Sequence, residues 1–247
     1  DPKRRGTAQA KGLRPQVKLL DDEAQEVNED DVVVIPAEKK QWIENIGQNV
    51  LVINQFIESG LPTFTDESVS RLGTHISNAK GVATADVNGD GWVDALFANA
   101  FATDPPFLYI NQGASNPGFF TEEAASRGLT ESLGSGGGQF GDLDDDGDLD
   151  LIITANYLGS GSGKPRLYFN DGNGNFTENA AALGAPNKSS HMDVQLVDVD
   201  NDWDLDFFGA CRATNAGGNH YLMLNDGTGT FSNSSSLVPS TSSNVYE

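Results

Sequence analysis

An acidic nine-residue motif recurs at a constant interval, and it limits what this chain can fold into more than any other feature. DVNGDGWVD begins at Asp86, DLDDDGDLD at Asp142 and DVDNDWDLD at Asp198, so successive copies start 56 residues apart. A fixed period of this size is typical of repeat architectures, in which each unit stacks on its neighbours. The chain is therefore predicted to be an array of similar units.

Two further landmarks keep nearly the same period. A phenylalanine followed by Thr or Ser occurs at Phe64, Phe120, Phe176 and Phe231. A short apolar segment ending in asparagine precedes each of them, and its copies end at Asn54, Asn111, Asn170 and Asn225. Because four copies of these landmarks are present, the repeats are predicted to fill residues 48–247, or about 3.6 units.

The composition of each unit predicts an all-β fold. The segments ALFANA, LIITAN and FFGAC that follow the acidic motifs are continuous apolar runs, as expected of strands buried on both faces. NDGNGN and NDGTGT tolerate the positive φ of tight hairpins. About four strands per unit match β-propeller blades of about 56 residues. Since propellers usually close with 4–8 blades, we expect a partial propeller that is continued by further sequence or completed by another polypeptide.

The N-terminal region does not follow the repeat. Six basic residues precede seven acidic ones in residues 1–35, a charge-segregated composition that predicts an extended arm or linker. Pro36 and Gly47 stand at a typical helix start and end, so residues 36–47 are predicted to form a short helix. The predicted domain organisation is therefore 1–35, 36–47 and 48–247.

Charge and hydropathy exclude several classes of partner. The chain has 36 acidic and 15 basic residues, and its formal net charge is −21. This charge disfavours nucleic acid and anionic membranes, and no apolar run is long enough to predict membrane insertion. The first residues also lack the apolar segment of a signal peptide. Cys211 is the only cysteine, so no intramolecular disulfide stabilises the fold, and it is predicted to be a small buried residue.

The acidic motifs are predicted to bind cations. Positions 1, 3, 5 and 9 of each motif carry a carboxylate or amide oxygen, and position 7 offers a backbone carbonyl. A calcium ion takes six to eight such oxygens. The predicted ligands are Asp86, Asn88, Asp90, Trp92 and Asp94 in the first loop, Asp142, Asp144, Asp146, Asp148 and Asp150 in the second, and Asp198, Asp200, Asp202, Asp204 and Asp206 in the third.

Calcium is the preferred ion, with up to three bound. Magnesium demands stricter octahedral geometry, zinc prefers His or Cys ligands, and the absence of a glutamate at position 12 separates these loops from EF-hands. The third loop carries Trp203 where the others have Gly91 and Gly147. A tryptophan at positive φ costs about 1–2 kcal/mol, so this site is expected to be weaker or to use another turn.

These residues resemble the FG-GAP/VCBS repeat family, whose blades also occur in integrin α-subunit heads. The resemblance covers about residues 48–247, and it rests on GVATADVNGDGWVDALFANA, QFGDLDDDGDLDLIITAN and Phe140-Gly141. LYFNDGNGNFTENAAALG is similar to the VCBS and cartilage-acidic-protein-like variety. The resemblance implies an extracellular or cell-surface β-propeller that binds calcium between two strands of a blade, through the positions given above.

No arrangement of residues predicts catalysis. His75, His191 and His220 are not accompanied by a nucleophile elbow, and the glycine-rich segment 134–141 lacks the lysine of a phosphate-binding loop. Trp42, Trp92 and Trp203 can stack on sugars, but Trp92 and Trp203 lie inside the acidic motifs, and packing between blades is the favoured interpretation. The chain is therefore predicted not to be an enzyme.

Three functions remain open from the sequence. The favoured one is a calcium-stabilised extracellular module for adhesion or protein–protein interaction, whose partner is another protein chain or further blades. The second is a structural subunit of a multi-chain extracellular assembly. The third is a carbohydrate-binding or carbohydrate-active protein, with glycans as the ligand.

Overall fold

The structure is a computed structural model that describes residues 17–19, 32–35, 47–48, 50–54, 64–100, 104–155, 163–179, 183–185, 191–211 and 220–238. Almost all regular structure in these residues is β, apart from the five-residue helix α1 (Ser68–Leu72) and two single 3-10 turns. The strands are β1 Val17–Leu19, β2 Val32–Ile35, β3 Gly47–Gln48, β4 Val50–Asn54, β5 Phe64–Asp66, β6 Ile76–Ser77, β7 Ala79–Ala85, β8 Asp94–Asn99, β9 Phe107–Asn111, β10 Phe120–Glu122, β11 Gly138–Gly141, β12 Asp150–Ile153, β13 Arg166–Asn170, β14 Phe176–Glu178, β15 His191–Val197, β16 Asp206–Cys211, β17 Tyr221–Asn225 and β18 Phe231–Asn233.

Three four-stranded antiparallel sheets repeat along the chain. Their strands follow the order of the sequence, as β7 to β10, β11 to β14 and β15 to β18. We call them the second, third and fourth blades. A first sheet in the order β1-β2-β4-β5 precedes them, with β1 parallel to β2. The prediction of an all-β array with about four strands per unit is therefore confirmed for these blades.

The core lies between successive sheets, in layers. One cluster joins the second and third blades, with Leu96 and Leu108 on one side and Leu151 and Tyr168 on the other. Another joins the third and fourth blades, and a smaller one joins the first sheet to the second blade. Every residue of β8 and β12 is buried. The continuous apolar runs in the sequence reflect this burial on both faces.

The repeated landmarks have corresponding places in each blade. Phe120, Phe176 and Phe231 begin the fourth strand of their blades, and each is at most 6% exposed. The asparagines at positions 111, 170 and 225 end the third strand. Cys211 is buried as expected. The period of the sequence is therefore the period of the blades.

The N-terminal predictions lie mostly outside the described residues. The predicted helix 36–47 does so except for Gly47, which lies in β3. Within the predicted arm, β1 and β2 are described, and both belong to the first sheet. The boundaries at residues 35 and 47 stay predictions. In the part of the chain that the structure describes, no helix is long and apolar enough to cross a membrane.

Candidate metal centre

The three acidic motifs form the same connection in three successive blades. Residues 86–94 join β7 to β8, residues 142–150 join β11 to β12, and residues 198–206 join β15 to β16. In each case the loop leads from the first strand of a blade to the second, and the aspartate at position 9 begins that second strand. The prediction that the loops are flanked by strands, unlike those of EF-hands, is confirmed.

A shared turn brings position 6 of each loop over position 1. The amide of Gly91 donates to Asp86 Oδ2 at 2.6 Å, that of Gly147 to Asp142 Oδ2 at 3.1 Å, and that of Trp203 to Asp198 Oδ2 at 3.2 Å. The φ angles at these three positions are 90°, 93° and 81°. The third loop therefore makes the same turn as the others, although a tryptophan occupies the left-handed position.

The aspartate at position 9 is the most buried acid of each loop. Asp94, Asp150 and Asp206 are each 0% exposed. One carboxylate oxygen accepts a hydrogen bond from the backbone N–H of the residue at position 2. The other accepts a hydrogen bond from the backbone N–H of the asparagine that ends the third strand. The six distances lie between 2.8 and 3.1 Å. These aspartates therefore fix the loop to the sheet, in addition to their predicted role as ligands.

Burial has an electrostatic consequence for these aspartates. Loss of solvation raises the pKa of Asp94 and of Asp150 to about 7, against the lowering effect of the two backbone hydrogen bonds. Neighbouring acids of the same loop raise each pKa further. A carboxyl group in this state gains most from a nearby positive charge, because a cation favours the ionised form.

The second loop provides the best fit to a cation. One carboxylate oxygen from each of Asp142, Asp144 and Asp146 lies within 4.8 Å of the other two. Among the described residues, Asp142 Oδ1 and Asp144 Oδ1 are buried and have no hydrogen-bond donor. The pKa of Asp144 is raised by burial and by the charges of Asp146 and Asp142. Buried carboxylate oxygens without donors, in a cluster of three acidic residues, match the oxygen ligands of a hard cation.

The third loop also brings three carboxylates together, and the first does not. Asp198, Asp200 and Asp206 approach one another within 4.8 Å. In the first loop, which is fully described, no three carboxylates meet this distance. There Asn88 replaces an acid, and its amide group donates to Asp90 Oδ2 at 3.2 Å. Two acidic clusters among the described residues can therefore bind a metal.

The predicted ligand sets are assembled only in part. The second cluster lacks Asp150, and the third lacks Asp202. The carbonyl ligands expected from Trp92, Asp148 and Asp204 stay predictions. The amides of these three residues donate to the position-5 carboxylate of their own loop at 2.8–3.0 Å. That contact closes the loop in the same way in each blade.

The asparagines that end the third strands were not predicted to contribute to these loops. Asn170 Nδ2 donates to Leu149 O in its own blade at 3.0 Å and to Val87 O in the preceding blade at 2.7 Å. Asn225 Nδ2 repeats both contacts, with Leu205 O and Leu143 O. Their recurrence in the sequence was visible, but this role requires that successive blades be adjacent.

Trp203 differs from the prediction that it packs between blades. Its side chain is 90% exposed, whereas Trp92 is half-buried beside Gly113. Burial of the Trp203 side chain therefore does little to offset the backbone strain of its φ of 81°. Trp42 lies outside the described residues.

We expect Trp203→Gly to stabilise the protein by about 1 kcal/mol, because glycine adopts the left-handed turn without strain. The free energy of unfolding, from urea denaturation, measures the effect. Trp203→Ala is the matched control, since it removes the exposed ring and retains the Cβ that causes strain. Equal stabilities of the two variants would contradict a backbone origin.

Comparison with known proteins identifies a sequence family. The profile described as FG-GAP-like repeat matches residues 86–153 and again residues 142–209. The two matches share residues 142–153, which are the second acidic loop and β12, and together they span about half of the chain. Each begins at position 1 of an acidic motif. No curated protein sequence matches the chain significantly.

Proposed function

Because the chain belongs to the FG-GAP-like repeat family, we propose that it is a non-enzymatic β-propeller-like module that calcium stabilises. We further propose that it acts outside the cell or at the cell surface, in adhesion, protein–protein interaction or assembly. The observation that carries the calcium proposal is the second loop. Its buried oxygens Asp142 Oδ1 and Asp144 Oδ1 have no donor among the described residues.

The environment of the histidines supports the non-enzymatic part of this proposal. His191 is 1% exposed, and its two ring nitrogens contact Gly163 O at 2.9 Å and Tyr221 Oη at 3.0 Å. His75 Nδ1 contacts Leu72 O, and His220 Nδ1 accepts the amide of Cys211. Each histidine therefore serves local packing and hydrogen bonding in the described residues.

Calcium titration of the purified protein tests the metal proposal. We expect Asp144→Asn to weaken binding at one site by about tenfold or more, because it removes a ligand charge. Asp145→Asn is the matched control, since Asp145 is exposed and lies in the same loop, and since this substitution removes the same charge. Its φ of 63° also suits asparagine. Isothermal titration calorimetry measures both. Equal losses in the two variants, or no calcium binding by the unmodified chain, would contradict the proposed site.

Glycan binding is the second candidate function, and the exposure of Trp203 favours it. An indole ring that is 90% exposed beside an acidic cluster can stack on a sugar. A glycan array with the unmodified protein and Trp203→Ala distinguishes the two candidates. Binding that is lost in the variant supports the glycan function, and no binding to any glycan removes it.

A further inference from the structure

Successive blades meet through an interface that occurs twice with corresponding residues. Asn170 of the third blade donates to Val87 O of the second, and Asn225 of the fourth blade donates to Leu143 O of the third. Val87 and Leu143 occupy position 2 of their acidic loops, and each is 1% exposed. Position 2 of a loop is therefore covered when another blade follows.

The hairpin of each following blade lies against the same loop. A Cβ added at Gly174 would lie 3.4 Å from Asn88 Cβ, and one added at Gly229 would lie 3.5 Å from Asp144 Cβ. Asn88 and Asp144 both occupy position 3. The hairpin glycines thus allow the turn of one blade to pack on the acidic loop of the blade before it.

The fourth blade presents the same surface, and no blade among the described residues packs on it. Val199 stands at position 2 of its loop and is 41% exposed, in contrast to Val87 and Leu143. Asp200, at position 3, is also exposed. Val197, two residues earlier, is 44% exposed. We call Val197, Val199 and Asp200 the terminal face. Its residues correspond one by one to an interface that the structure shows twice.

We propose that the terminal face binds a further blade of the same repeat type, with an asparagine that donates to Val199 O and a glycine hairpin that packs on Asp200. This inference rests on the proposed role of the chain as an assembling module. The two existing interfaces define the chemistry of this occupant, because each uses an asparagine donor and a glycine turn at the same places.

The terminal face also limits the size of two side chains in the occupant. Val197 occupies the place of Gly141 in the third blade. A Cβ at Gly141 would lie 2.8 Å from Leu196 Cδ1 and 2.9 Å from Leu205 Cδ1 of the following blade. Val197 has a larger side chain than Gly141. A blade that binds the terminal face must therefore carry residues smaller than leucine at the positions that correspond to Leu196 and Leu205.

The test replaces residues 239–247 with one further blade. A copy of residues 184–238 is fused after Val238. Val238 follows Phe231 by seven residues, as Leu183 follows Phe176, so the fusion keeps the spacing between one blade and the next. The copy carries alanine in place of Leu196 and Leu205. We expect Val199→Asp to change the melting temperature of the unextended chain by about 1 °C or less, because the residue is exposed. In the extended chain we expect a decrease of about 5 °C or more, because the new carboxylate is buried.

A labelling experiment decides the case in which the added blade fails to fold. Val199→Cys is expected to react with a maleimide in the unextended chain and to be protected at least about tenfold by the added blade. Val69→Cys, 60% exposed and in α1, is the control that should react equally in both chains. No protection of Val199→Cys, for any reason, overturns the proposal.

Further experiments on the unextended chain, beginning with sedimentation, show whether something other than an added blade binds the terminal face. A dimer that Val199→Asp dissociates would assign the terminal face to a second copy and overturn the proposal. If Val199→Cys is not labelled in the unextended chain, and deletion of residues 1–20 restores the labelling, the terminal face binds the basic N-terminal segment. That result would also overturn the proposal. Calcium binding is measured in parallel. Its absence would refute the calcium proposal alone, since the effects of Val199→Asp still decide the docking.

Discussion

Removal of calcium with EDTA is expected to lower the melting temperature of this protein by about 10–20 °C. A ligand at one hundred times its dissociation constant stabilises the folded state by about 2.7 kcal/mol per site. The second and third loops each contain a three-carboxylate cluster, so two sites contribute about 5 kcal/mol. For a chain of this size, each kcal/mol corresponds to about 2–4 °C. Differential scanning calorimetry with excess calcium and with EDTA measures the change.

Two comparisons show whether the shift arises at the acidic clusters. The double variant Asp144→Asn and Asp200→Asn should reduce the difference between the calcium and EDTA melting curves to a few degrees, because each cluster loses a carboxylate. Magnesium at the same concentration should protect less, since it requires stricter geometry. Superimposable melting curves with calcium and with EDTA would refute stabilisation by calcium.

The sequence predicted the repeat, the blades and the location of the loops because these depend on contacts within one unit. The alternation of apolar runs and glycine turns determines the strands locally, and Asp142, Asp144 and Asp146 are close in sequence. At Trp203 the sequence left open a different turn, and that alternative was wrong, because its φ of 81° gives the same turn as at Gly91 and Gly147. Such features require only that each blade fold as its neighbours do.

The remaining features depend on contacts between distant residues. Asn170 lies 83 residues from Val87, so its role in the preceding blade could not be derived from spacing alone. The exposure of Trp203 was likewise missed, since a position in the motif does not show whether another blade covers it. In the first loop, the hydrogen bond from Asn88 to Asp90 separates it from the other two, although its motif is nearly the same.

Replacement of Asp150 by alanine is expected to destabilise the protein by about 3–5 kcal/mol, even without calcium. Asp150 Oδ2 accepts the amide of Leu143 at 3.0 Å, and its Oδ1 accepts the amide of Asn170 at 2.9 Å. Because Asp150 is 0% exposed, alanine leaves two buried donors unsatisfied, each costing about 1–3 kcal/mol. Urea denaturation in EDTA measures this structural contribution separately from metal binding.

Two variants separate the hydrogen bonds of Asp150 from its charge. Asp145→Ala removes an exposed carboxylate from the same loop and should change the free energy of unfolding by about 0.5 kcal/mol or less. Asp150→Asn retains one acceptor and should fall between alanine and the unmodified protein. A cost below about 1 kcal/mol for Asp150→Ala in EDTA would show that the loop is held by other contacts. A cost that appears only with calcium would make Asp150 a ligand without a structural role, and the loop would then depend on the cation for its attachment to β12 and β13.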